Sequence, residues 1–129
     1  MMSPSNTRDR SIGIRTSKKI DLSSYKQLCM KYSINIPSYS YNTSSGDNAA
    51  VGGRVAVTSS TNDWYGNMQA DKGYWTHYGE AYQVTNATLC ANISNISTSS
   101  YVFVNFDARG YAYGASLTAN VYQIYLIPN

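Results

Sequence analysis

Apolar and polar positions alternate over Arg54 to Thr58 and through much of the second half of this chain, and that period of two predicts strands. Arg54 to Thr58 (RVAVT) sets Val55 and Val57 on one side. Glu80 to Thr85 sets Tyr82 and Val84 on one face, and Thr88 to Ile93 does the same with Leu89, Ala91 and Ile93. Tyr101 to Phe106 (YVFVNF) is apolar on both faces except at Asn105, which predicts the central buried strand. From Tyr111 to Val121 the odd positions are apolar, and then the apolar face passes to Tyr122, Ile124 and Leu126. Because strand side chains alternate strictly, this switch predicts a turn or bulge near Thr118 to Val121. One unbroken strand over the segment would run about 55 Å, far beyond ordinary strands. Ile34 to Ile36, ended by Pro37, adds a short strand, and Gly52 and Gly53 read as punctuation before the Arg54 strand. About seven strands joined by turns predict a mainly β protein, an antiparallel β-sandwich or jelly-roll-like domain.

Several segments depart from this pattern. After the opening methionines, residues 1–20 are polar and basic apart from Ile12, Ile14 and Ile20 and read as a flexible N-terminal arm, leaving 21–129 as a single β-rich domain. Within 21–32, Asp21 is a fair N-cap, and Leu22, Tyr25, Leu28, Cys29 and Tyr32 recur near helical spacing, which predicts one short amphipathic helix. Ser38 to Ala50 reads as loop. Between Ser59 and Gly79 the residues Asn62, Asp63, Gly66, Asn67, Asp71 and Gly73 predict a long irregular segment crowded with Trp64, Tyr65, Tyr74, Trp75 and Tyr78. Asp107 to Gly110 reads as a hairpin turn.

Composition sharpens the picture at three points. Thirteen tyrosines against two phenylalanines favour half-buried strands and contact surfaces, since each hydroxyl needs water or a partner. Residues 1–31 hold seven basic and two acidic side chains, whereas the rest holds three and five, so a basic arm joins a mildly acidic body. The opening residues lack the apolar stretch of a secretory signal, and no run approaches the roughly 18 apolar residues of a membrane span. The expectation is therefore synthesis in the cytoplasm without a signal peptide and no membrane insertion. Cys29 and Cys90 are too few for a disulfide scaffold and have no CxxC spacing; free thiols are the expectation, with pairing left open.

The chemistry of catalysis is thin. No phosphate-cradling glycine motif and no GxSxG elbow occurs, and the single histidine, His77, cannot build a multi-histidine metal site. Asp63, Asp71 and Glu80 could be imagined as paired carboxylates for glycoside hydrolysis, but their neighbours mark the two aspartates as turn residues. The expectation is no enzyme, no cofactor and no metal. Trp64, Tyr65, Tyr74, Trp75 and Tyr78 form a candidate ligand surface for a glycan or host receptor, the alternative being that the tryptophans plug the core. Arg8, Arg10, Arg15, Lys18 and Lys19 are candidate arm contacts, able to neutralise phosphates of a nucleic acid without reading bases, or to hold a neighbouring subunit.

In its general composition, a Tyr/Asn/Ser/Thr/Gly-rich β domain behind a basic arm, the chain resembles small virion components such as phage fibre tips, decoration proteins and minor capsid proteins. That resemblance implies a structural, homo-oligomeric part of a virion, anchored to other particle proteins through the arm. The alternative reading is a receptor- or carbohydrate-binding β-sandwich module such as a fibre tip.

Overall fold

A computed structural model describes residues 10–41, 50–59, 68–109, 112–113 and 115–129. Among them every regular element is a strand: β1 (Arg10–Arg15), β2 (Ile20–Asp21), β3 (Tyr25–Ile36), β4 (Ser40–Tyr41), β5 (Ala50–Thr58), β6 (Met68–His77), β7 (Tyr82–Asn92), β8 (Ser99–Arg109), β9 (Ala112–Tyr113) and β10 (Thr118–Pro128). All pairings are antiparallel. One sheet runs β1-β8-β5-β6 with β2 beside β8; the second runs β10-β3-β7; β4 and β9 form a separate pair. The two main sheets are consistent with a β-sandwich; the strands expected separately around Val84 and Leu89 are one strand, β7, and between Ala115 and Leu117 there is none.

The core lies between the two sheets. Val51, Val55 and Val57 of β5 and Val102, Val104, Phe106 and Ala108 of β8 meet Leu28, Met30, Tyr32, Ile34 and Ile36 of β3. β8 is interior to its sheet, with Val104 opposite Val55 on one side and Ile14 on the other, so the expected buried strand is found. All nine residues of β5 are buried. On its other face Arg54 Nε donates to Asn105 Oδ1 (2.8 Å), and Asn105 Nδ2 donates to Asp107 Oδ1 (2.8 Å). These three side chains are nearly inaccessible to water, so a positive and a negative group share one amide between them. Asp107 is thus a buried strand residue, not the opening of a turn. Gly52 and Gly53 lie inside β5 rather than before it. A Cβ on Gly52 would run into the backbone carbonyl of Tyr74 and sit 2.8 Å from Cε3 of Trp75, so glycine lets β6 lie this close.

The expected helix is replaced by β3, the middle strand of its sheet. Leu22, Tyr25, Leu28, Cys29 and Tyr32 fit helical spacing, but Leu28, Met30, Tyr32, Ile34 and Ile36 form a longer run at period two, and those five residues are all buried. Asp21 caps no helix. Its Oδ1 accepts from Ser23 N–H (3.0 Å) and Ser23 Oγ–H (2.7 Å), a side-chain turn that shares the sequence signature of an N-cap. Both bonds hold the Asp21 carboxyl below its ordinary range, the backbone bond first.

The arm is also corrected. Arg10–Arg15 is strand β1, paired along its whole length with β8, and Thr16 N–H continues the ladder to Val102 O at 2.9 Å. Ile12 and Ile14 alternate with polar or glycine neighbours, and that short period two suffices for a strand once β8 offers its edge. Met68–His77, expected to be irregular, is strand β6 despite Asp71 and Gly73. The face switch near the C-terminus is a register shift between Val121 and Gln123, just beyond the expected span. A second shift, between Tyr32 and Ile34 of β3, lies across from Asn86 of β7, whose φ is 54°.

Cys29 and Cys90 form a disulfide between paired residues of β3 and β7, against the expectation of free thiols. Register, which a sequence does not show, puts them opposite each other.

On one side the sheets meet through tyrosines. Tyr74 of β6 stacks on Tyr82 of β7 with ring centroids 3.9 Å apart, and Tyr39 Oη donates to Thr76 O at 3.1 Å. Burial above all, and then the Tyr82 hydroxyl and Tyr74, push the Tyr32 phenol up from 10.0 to about 12. Burial raises Tyr39 as well. In the unfolded chain these phenols ionise first, so the stability they contribute is complete below about pH 10 and is lost as pH rises toward 12. Urea melts across that window should show the decline, and Tyr32→Phe should make it shallower.

Candidate functional site

On the other side, among the described residues, β1 is paired only with β8 and β10 only with β3, and between β1 and β10 runs an apolar trough. One half, about 400 Å³, is lined by Ile14, Ile20, Leu28, Val102, Ile124 and Leu126. The adjoining half, about 510 Å³, is lined by Ile12, Ile14, Val104, Phe106, Leu117, Ala119 and Val121. Ile14 borders both halves. Ile12 is 54% exposed, Ile14 63% and Ile124 37%, although all three side chains sit on the strand faces that look toward the core.

The local sequence explains this seam. β10 reads TANVYQIYLIP, eleven residues with no formal charge and proline only near its end. Edge strands ordinarily carry lysine, an inward charge or a proline within them, because unpaired N–H and C=O groups template further pairing. β10 has no charge and no proline along Thr118 to Ile127, and its one irregularity there is the register shift at Tyr122. β1 is guarded better, since Arg15 is exposed beside it with its guanidinium 5.5 Å from the Tyr101 ring centroid. Lys19 lies 5.9 Å from the same ring, and Lys18 is exposed on the connection to β2. Arg15, which lines the trough, and Lys19 therefore gather around the Tyr101 ring. Arg10 contributes its backbone to β1, and Arg8 lies outside the described residues.

The five aromatic residues singled out from the sequence do not make one platform where they are described. Tyr74 and Trp75 are neighbours in β6 and so face opposite sides: Tyr74 toward Tyr82, Trp75 over Gly52 and Gly73. Tyr78 is 53% exposed in a turn with φ 53°. Trp64 and Tyr65 lie outside the described residues, as does Asp63. His77, Asp71 and Glu80 are exposed, and among the described residues no three His, Cys, Asp or Glu side chains gather as metal ligands would. No helix among the described residues is long and apolar enough to cross a membrane.

Sequence reasoning missed the trough because its lining comes from β1, β3, β8 and β10, far apart in the chain. One signal was present: the uncharged run from Leu117 to Asn129 is unusual for a strand that ends up at an edge. No protein-family model, curated protein or solved structure matches this chain.

Proposed function

We propose that this protein is a non-enzymatic structural component of a viral or phage particle that self-associates by pairing its β10 edge with β10 of a second copy. The uncharged eleven-residue edge beside an apolar trough carries the reading. In a two-fold antiparallel pairing the second copy continues the β10-β3-β7 sheet, and its own Ala119, Val121, Ile124 and Leu126 then cover the trough. A second copy suits this edge better than the β1 edge, because β10 pairs with itself without opposing charges, whereas an antiparallel pairing of two β1 edges would set Arg10 of each copy opposite Arg15 of the other. The N-terminal arm, with residues 10–15 committed to β1, is left with at most a secondary share in anchoring or in nucleic-acid contact.

The strand order supports a jelly-roll-like fold. Among the seven long strands only β5 and β6 are consecutive neighbours in one sheet; every other step between them crosses from one sheet to the other. An eight-stranded jelly roll interleaves two four-stranded sheets in this manner, and a further strand beside β10 would complete it. The disulfide also fits a particle that functions in an oxidising environment outside the cell.

Light scattering with size exclusion tests the association, and a dimer or larger species is expected at micromolar concentration. Gln123, exposed at the midpoint of β10, is the place to interfere. Gln123→Lys and Gln123→Glu should each weaken self-association about tenfold or more through like charges near the two-fold axis, while an equimolar mixture of the two variants recovers it. Melting of either variant should stay within about 0.5 kcal/mol of the parent, as exposed substitutions do. A monomeric parent chain would sink the proposal. Proteomic analysis of purified particles then tests the biological place, the expected result being a component of regular stoichiometry.

A further inference from the structure

We infer that the outer face of the β10-β3-β7 sheet binds an acidic saccharide, at a shallow depression of about 370 Å³ lined by Lys31, Asn86, Thr88 and Tyr122. The place is made by two irregularities that flank β3. The register shift in β10 makes Tyr122 an extra residue and turns its ring to the outer face, where it is 56% exposed. The shift opposite, in the pairing of β3 with β7, coincides with Asn86 in the left-handed region, a conformation that a residue with a side chain seldom adopts. Ser33 ties the two together: Asn86 N–H donates to Ser33 Oγ at 3.1 Å, and Ser33 Oγ shares a hydrogen bond with Tyr122 Oη at 2.7 Å.

This arrangement is built for a ligand with a flat, partly apolar ring and many hydroxyls. Tyr122 is a large exposed aromatic held at its hydroxyl, so little motion is left to lose when a pyranose stacks on it. The Asn86 amide and Thr88 hydroxyl supply both donors and acceptors around that ring. Lys31 lies between them in the register, paired with Thr88 on one side and Gln123 on the other. Two residues further along the same face, the Cys29–Cys90 disulfide staples β3 to β7, which makes the floor stiff. Charge decides the class of sugar. β3, β7 and β10 together carry Lys26 and Lys31 and no Asp or Glu, so a carboxylate on the saccharide finds an ammonium and no repulsion from this sheet. Backbone bulges of this kind recur beside binding sites, because they re-aim a side chain that a regular strand would bury or point elsewhere.

The test is calorimetric titration of the full chain with sialic-acid and uronic-acid oligosaccharides, each beside a neutral analogue of equal length. Binding of the acidic sugars at micromolar to millimolar concentration is expected, tighter than binding of the neutral ones. Lys31→Gln should remove that preference and weaken acidic binding about tenfold, the worth of one charge-assisted hydrogen bond. Tyr122→Ala should weaken both classes. Asn86→Gly should weaken binding yet melt no lower than the parent, since glycine accepts a φ of 54° without strain; that variant separates loss of a contact from loss of the fold. Absence of binding to every acidic saccharide, binding that all three variants retain, or equal binding of a sulfated or phosphorylated polymer without sugar rings would each overturn the inference.

Discussion

Val104→Asp is expected to unfold this protein. Val104 is 1% exposed and faces the core from the interior strand β8, between Val55 and Ile14 in the register. A carboxylate there must either stay ionised among Val55, Phe106 and the aliphatic side chains of β3 or take up a proton, and both cost several kcal/mol. Set against a total stability of about 5 to 15 kcal/mol for a domain of this kind, that loss removes most or all of the margin. Far-ultraviolet circular dichroism and urea melts would read it, and Thr118→Asp, exposed at the start of β10, serves as the charge-matched control. Should Val104→Asp be too unstable to isolate, Val104→Ala should still lose about 2 kcal/mol by cavity formation. A parent-like melt for the aspartate variant would mean that the inward face of β8 has been assigned to the wrong residues.

Reduction of the Cys29–Cys90 bond should have the second largest effect. The two cysteines are 61 residues apart in sequence and join the middle strand of one sheet to its edge. On the chain-entropy estimate, closing a loop of that length stabilises by about 4 kcal/mol, by restricting the unfolded chain. For a chain of this size such a loss corresponds to a fall of roughly 15 °C in Tm. Melts with and without a thiol reductant, together with the Cys29→Ser/Cys90→Ser double variant, should agree with each other. Titration of two free thiols in the native, unreduced protein would contradict the bond itself. The same experiment bears on the saccharide site, because loosening β3 from β7 should weaken binding at Lys31 and Asn86 before the fold is lost.

These two expectations differ in how much of their basis the sequence carries. The burial of Val104 was readable from YVFVNF, since a segment apolar on both faces has nowhere to go but the inside of a sheet. The same local logic identified the strands around Val55, Val84, Leu89 and Ile124 and placed a break close to Tyr122. Local pattern is reliable there because side-chain alternation is a property of the strand itself. Where two periods competed, the local argument failed. Leu22 to Tyr32 satisfied a helical stripe, and only packing of Leu28, Met30 and Tyr32 against β5 and β8 selects the strand. Arg10–Arg15, with two isoleucines, could not be told from a tail until β8 supplied a ladder to join.

The candidate sites lie almost wholly beyond the sequence. The alternation of apolar residues, the tyrosine-rich composition and the uncharged C-terminal run are determined by the chain alone, and they suffice for a mainly β protein with an uncharged strand. Tertiary structure decided that among the described residues this strand is an edge, that Ile12 and Ile14 face a trough across from it, that Cys29 meets Cys90, and that Lys31, Asn86 and Tyr122 converge on one face. Each of these is a relation between residues tens of positions apart, set by strand order and register. A period of two leaves both undetermined, because it says which side of a strand a residue faces and nothing about which strand lies beside it.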